Sequence, residues 1–142
     1  MGLYSQFQTD SDLEKTGVVI DYGSFRVLVA RAGGSNTDFM RVLTAKTKPH
    51  RRAIQTDTMD PKLAQAIERE VFAETVIKDW ETEVDGEWVR GIESPDGGLL
   101  DVTVDNLIRT LENLPDLYAD LKEQANKVAL FRKEELEEDA KN

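Results

Sequence analysis

Val18-Val19-Ile20-Asp21-Tyr22-Gly23-Ser24-Phe25-Arg26-Val27-Leu28-Val29-Ala30 is the stretch that decides the fold class. Its two β-branched, apolar runs, 18–22 and 25–30, flank Gly23-Ser24 and predict a β-hairpin, because glycine supplies the backbone angles that a tight turn needs. Arg26 then marks the solvated face, since side chains alternate along a strand. Downstream, Gly33-Gly34 ends the second strand. Ser35, Asn36 or Thr37 can accept backbone hydrogen bonds at the start of a helix over about 37–47, which Pro49 ends.

Further out, Asp60-Pro61 opens the clearest helix, with an acidic N-cap and a proline where its missing N–H costs nothing. Leu63, Ile67 and Val71, with Ala66, Ala73, Ile77 and Trp80, form one broad apolar face that carries this helix to near Trp80. Val84-Asp85-Gly86-Glu87-Trp88-Val89 reads as a second short hairpin with an Asp-Gly turn, and residues 94–98 as a loop. A helix over 104–113 carries Leu107, Ile108 and Leu111. Pro115 starts a last helix in which Leu114, Leu117, Leu121, Val128 and Phe131 fall on heptad positions, interrupted by Gln124, as one narrow apolar seam. From Lys133 onward nearly every residue is charged, the pattern of a fraying helix end or disordered tail. The expected architecture is α+β and predominantly helical: an N-terminal β-hairpin, three to four helices and a second short hairpin. Residues 1–132 are read as a single globular domain, 1–12 as a flexible arm and 133–142 as an acidic, disordered tail.

A chain of 142 residues is long enough for one hydrophobic core and too short for two well-packed domains. Its 39% hydrophobic and 32% charged residues fit a folded domain with a solvated surface. The 28 acidic residues against 18 basic ones give a net charge of -10, which repels phosphate backbones and anionic bilayers. Nucleic acid and membrane are therefore not expected as partners. The absence of cysteine excludes disulfides, thiolate metal sites and a cysteine nucleophile, and fits a reducing compartment. Met1-Gly2-Leu3-Tyr4-Ser5-Gln6 lacks the pattern of a secretory signal, and no segment approaches the roughly 20 apolar residues that span a bilayer. The expected location is the cytoplasm.

Each candidate chemical cluster lacks a necessary member. His50 is the only histidine, set among Lys48, Arg51 and Arg52, with no second histidine to share a metal. Glu81, Glu83, Asp85 and Gly86 follow a calcium-loop spacing, yet position twelve is Ile92 where a bidentate glutamate is required. Glu68, Glu70 and Glu74 alternate with basic residues as a solvated helix face does. Gly33-Gly34 lacks the lysine and hydroxyl residue of a phosphate loop, and no Gly-x-Ser-x-Gly elbow occurs. The expectation is a protein with no catalytic residues, no cofactor and no metal.

Three features remain as candidate partner-binding surfaces. The seam of Leu117, Leu121, Val128 and Phe131 is either core or a face for a partner helix. Tyr4 and Phe7, in Leu3-Tyr4-x-x-Phe7, sit on an aromatic arm that packs either on a neighbour or on its own domain. Arg51 and Arg52, with Lys46, can dock an acidic surface, including the acidic end of another copy of this chain.

Leu3-Tyr4-x-x-Phe7, Asp12-Leu13-Glu14-Lys15 before the hairpin, Ala30-Arg31-Ala32-Gly33-Gly34-Ser35-Asn36 and Lys48-Pro49-x-Arg51-Arg52-Ala53-Ile54 occur in that order. Leu114-Pro115-Asp116-Leu117 and Ala129-Leu130-Phe131-Arg132 follow. Together they resemble the tail assembly chaperones of tailed bacteriophages, over nearly the whole chain. The resemblance implies a protein made in the host cytoplasm that binds the tape measure protein, keeps its hydrophobic helices from aggregating and helps recruit tail tube protein before leaving the finished tail. It also implies a second, longer form made by ribosomal frameshifting near the end of the gene. Two other readings compete: a structural virion protein of the tail or head-tail connector, and an acidic DNA mimic that inhibits a nucleic-acid enzyme. A homo-oligomer is compatible with all three.

Overall fold

Strands β1 (Val18–Asp21) and β2 (Phe25–Val29) pair antiparallel as the alternation predicts, with Val18 opposite Val29 and Asp21 opposite Arg26. The computed structural model describes residues 2–132. In the turn, Gly23 has φ 94° and its N–H donates to Asp21 Oδ1 at 2.8 Å. The second predicted hairpin is also present, formed by β3 (Ile77–Val84) and β4 (Glu87–Arg90). Its two turn residues, Asp85 at φ 52° and Gly86 at φ 84°, are both left-handed, as a two-residue hairpin turn of this kind requires. The two hairpins join in one four-stranded antiparallel sheet of order β1-β2-β3-β4.

That junction corrects the predicted helix over 60–80. The helix, α5, runs from Pro61 to Thr75, with the Asp60 carboxylate accepting the Lys62 N–H at 3.0 Å, and the chain then enters β3. Ile77 and Trp80 lie within the sheet instead. Leu28 faces Asp79 whereas Val29 faces Ile77, so Lys78 is the extra residue of a β-bulge. Side chains three apart point to opposite faces of a regular strand, but the bulge turns both Ile77 and Trp80 into the core, 5% and 3% exposed. An i, i+3 spacing of buried residues is also the signature of a helix, and here the bulge produces it.

Helix α3 (Thr37–Thr47) has its predicted bounds, but the buried Asn36 before it does not cap it. Its side-chain amide donates to the carbonyls of Arg31 and Thr75, at 2.9 and 3.0 Å, and so fastens the start of α3 to the end of α5. Pro49 does not end the helical path. The chain continues through a 3-10 turn, Lys48–His50, into a short helix α4 (Arg51–Gln55). Residues 94–98, read as a loop, form the turn of a third small hairpin between β5 (Ile92–Glu93) and β6 (Leu99–Leu100). Helix α6 (Val104–Asn113) also has its predicted bounds. The last helix is shorter than its heptad pattern: α7 covers Pro115–Ala125, and Val128–Phe131 is a separate 3-10 turn.

The N-terminal arm is built as two short helices, α1 (Leu3–Phe7) and α2 (Ser11–Thr16). Asp10 caps α2 by accepting the N–H groups of Asp12 and Leu13. One continuous core joins the inner face of the sheet, with Ile20, Val27, Val29 and Trp80, to Phe72 and Val76 of the α5 segment, Leu107 and Leu111 of α6, and Leu121 and Ala125 of α7. Tyr22 ties α7 to the first hairpin: its ring stacks on Phe25 and its hydroxyl donates to Asp120 at 2.5 Å. The predicted acidic tail, 133–142, lies outside the described residues.

Candidate functional site

The predicted seam is divided by the end of α7. Leu121, on that helix, and Phe131, in the 3-10 turn beyond it, are both fully buried. Leu117 is partly buried against the core and Val128 is half-buried. The centre of the seam is therefore core within this chain, and a free face made of these four residues does not exist. The physical reason is the turn after Ala125. It folds Phe131 inward, where the Phe131 carbonyl accepts the Asp10 N–H at 2.7 Å.

The arm has the opposite character. Leu3, Tyr4 and Phe7 are 69%, 74% and 65% exposed, although the backbone beneath them is fastened. Arg132 Nε donates to the Gln6 carbonyl at 3.1 Å, and Thr9 forms an isolated antiparallel bridge with Arg132. Burying each such apolar side chain against a partner contributes about 1.5–3 kcal/mol, and a backbone already held in place loses less entropy on binding.

What positions the arm is an ion pair whose carboxylate is buried and whose guanidinium is partly exposed. Glu14, on α2, is 3% exposed, and its carboxylate accepts from Thr9 Oγ1 at 3.0 Å and from Arg31 Nη1 at 2.5 Å. The Arg31 N–H donates to the Glu14 carbonyl at 2.9 Å. Burial pushes the Glu14 carboxyl up, but hydrogen bonds from Arg31, Thr9 and Ser35, with the Arg31 charge, outweigh it and hold the group below the usual carboxylate range. Gly34 completes the clasp. Its φ of 55° is left-handed, and a Cβ there would run into the Glu14 carboxylate. Sequence reasoning gave Glu14 and Arg31 no role, and read Gly34 only as the end of a strand and Asn36 only as a candidate helix cap.

Arg51 and Arg52 are exposed on α4, beyond the 3-10 turn in which His50 is half-buried. Lys46 is separated from them by its own partners: its Nζ lies 2.7 Å from Glu70 and 3.2 Å from Glu74. The hydrogen bond to Glu70 leads the causes that raise the Lys46 pKa, against a smaller effect of burial. Glu68 pairs with Lys122 at 3.4 Å, so each of the three acids on α5 faces a cation. Glu81 of the calcium-like spacing pairs with Arg26 at 2.7 Å. Among the described residues no three His, Asp or Glu side chains gather to hold a metal ion.

An open groove of about 910 Å³ runs between the β5–β6 hairpin and the α6–α7 junction, walled by Glu93, Pro95, Leu100, Arg109 and Leu114. Leu114 is 51% exposed at its rim. Beside it a hollow of about 80 Å³ reaches Phe25, Trp80 and Leu117. Walls that mix Pro95, Leu100 and Leu114 with the polar Ser94, Thr110 and Asn113, one carboxylate and one guanidinium can seat a peptide side chain. Sequence reasoning missed this groove because its walls come from separate elements.

The described residues thus define a small α+β protein, a helix-backed antiparallel sheet that displays apolar and basic side chains on short helices. None of those helices is long and apolar enough to cross a membrane. Residues 34–142 match the family model described as YdaY prophage protein, and the chain belongs to that family. Membership makes it a phage-derived protein. The match includes the Lys48–Ile54 string and the motifs at 114–117 and 129–132, and leaves the arm outside it. No curated protein and no solved structure matches the chain.

Proposed function

We propose that this prophage protein is a non-catalytic tail assembly chaperone that binds the tape measure protein and aids tail tube assembly in the host cytoplasm. The observation that carries the reading is the arm: three large apolar side chains held out to solvent on an anchored backbone. A chaperone for long hydrophobic helices needs exposed apolar contacts for reversible binding, and enough net charge to keep the loaded complex in solution. The chain's -10 charge supplies the second. Tyr4 and Phe7 make the principal contacts, Arg51 and Arg52 add an electrostatic one, and Phe131, buried with its carbonyl bonded to the Asp10 N–H, anchors the arm from behind.

Co-expression with the phage's tape measure protein tests this. The wild-type chain is expected to bring that protein into the soluble fraction, and Tyr4→Ser with Phe7→Ser to lose it from the purified complex while keeping the native circular dichroism spectrum. A tape measure protein that is equally insoluble with and without the wild-type chain sinks the proposal. Fixed-copy recovery of the chain from purified particles transfers it to the structural virion class.

A further inference from the structure

Residues 37–55, covering α3, the 3-10 turn and α4, differ from the rest of the chain in two respects. No residue of these three elements is buried, although they carry Phe39, Met40, Leu43 and Ile54. Met40 and Ile54 are 56% and 48% exposed. The same residues hold five cations, Arg41, Lys46, Lys48, Arg51 and Arg52, against the single acid Asp38, in a chain whose net charge is -10. Arg41 pairs with Asp38, and Lys46 with Glu70 and Glu74. Lys48, Arg51 and Arg52 are exposed and make no ion pair among the described residues. Three cations and uncovered apolar side chains on one helical appendage call for an acidic partner that also carries apolar side chains.

That composition is present in the chain itself. Glu134-Glu135-Leu136-Glu137-Glu138-Asp139 has five carboxylates and one leucine in six residues. The last described residue, Arg132, is tied to Gln6 and Thr9 at the N-terminal arm, and Lys46 of the appendage pairs with Glu70 and Glu74 of α5. The basic and acidic members are separate segments of one sequence, as a head-to-tail contact between copies uses. We infer that Lys48, Arg51 and Arg52 of one copy dock the acidic segment 134–139 of a second copy. The contact shares Arg51 and Arg52 with the proposed tape-measure surface but not the arm, and sedimentation of the chain alone tests it without any tape measure protein present.

Sedimentation velocity on the full chain tests it. The wild type is expected to self-associate with rising concentration, and to do so at least about tenfold more weakly in about 0.5 M than in about 0.05 M NaCl, because the shorter Debye length screens the contact. Arg51→Glu with Arg52→Glu, at exposed positions, is expected to give a folded monomer. So is a second variant with Glu134→Lys, Glu135→Lys, Glu137→Lys and Glu138→Lys. An equimolar mixture of the two is expected to associate again, since each now complements the other. A wild type that is monomeric at all concentrations overturns the inference and points to docking within one chain or none. Failure of the mixture to associate, wild-type association by the Arg51→Glu, Arg52→Glu variant, or nucleic acid bound through these arginines also overturns it.

Discussion

Truncating Leu121 decides whether the apolar seam of the last helix is core or contact surface. The side chain is fully buried in one cluster with Tyr118 and Ala125 of its own helix and with Trp80 and Leu111 across the core. Leu121→Ala removes three carbon groups, about 2.4 kcal/mol at roughly 0.8 kcal/mol per methylene. The cavity left between a sheet and three helices adds to that, so the total should be about 3–4 kcal/mol, inside the range of about 2–5 for such truncations. At roughly 3 °C per kcal/mol for a chain of this length, the melting temperature should fall by about 10 °C. Phe7→Ala, at a side chain 65% exposed, should shift it by less than about 2 °C. Scanning calorimetry on the two variants reads the contrast directly. A Leu121→Ala protein that melts like wild type yet no longer binds its partner would refute the assignment of Leu121 to the core and restore the seam as a binding face.

The clasp around Glu14 yields three more expectations. Because the Glu14 carboxyl is held below its ordinary value of 4.5, its stabilisation is fully present above that pH and lost as pH falls through the lowered value. The stability gap between wild type and Glu14→Gln, measured by urea midpoint, should therefore be large at neutral pH and narrow under strong acid; a constant gap contradicts the ion pair. Gly34→Ala should cost at least about 1 kcal/mol, from its left-handed backbone and the collision with Glu14, and a substitution without loss in calorimetry argues against the clasp. Asn36→Ala leaves the carbonyls of Arg31 and Thr75 without their donor, at about 1–3 kcal/mol. Hydrogen exchange in α3 should speed up accordingly, and unchanged exchange there would show that Asn36 does not fasten the helix.

Much of the fold is local enough to be read from residue order. The runs on either side of Gly23-Ser24, the Asp85-Gly86 pair and the bounds of α3 and α6 each rest on backbone preferences within a few positions. Two errors have one kind of cause, tertiary geometry imitating a helical period. The bulge at Lys78 places Ile77 and Trp80 on one face at a helical interval. The heptad spacing runs on to Phe131 although α7 stops at Ala125, whose carbonyl accepts the N–H of Ala32 from the distant strand-to-helix turn. The site was half legible for a similar reason. Tyr4 and Phe7 stand out as aromatics in a polar setting, and Arg51 and Arg52 as a basic pair. The Glu14–Arg31 contact joins residues 17 apart, and no spacing rule announces it.

The Thr9–Arg132 bridge brings the two ends of the described chain side by side. A load applied between those ends would meet this two-residue contact, the Arg132 bond to Gln6 and the Asp10 bond to the Phe131 carbonyl before it reached any strand of the sheet. The bridge would peel one bond at a time, and the arm would come away while the core stayed whole. A partner that pulls on the arm could detach it at a cost far below that of unfolding.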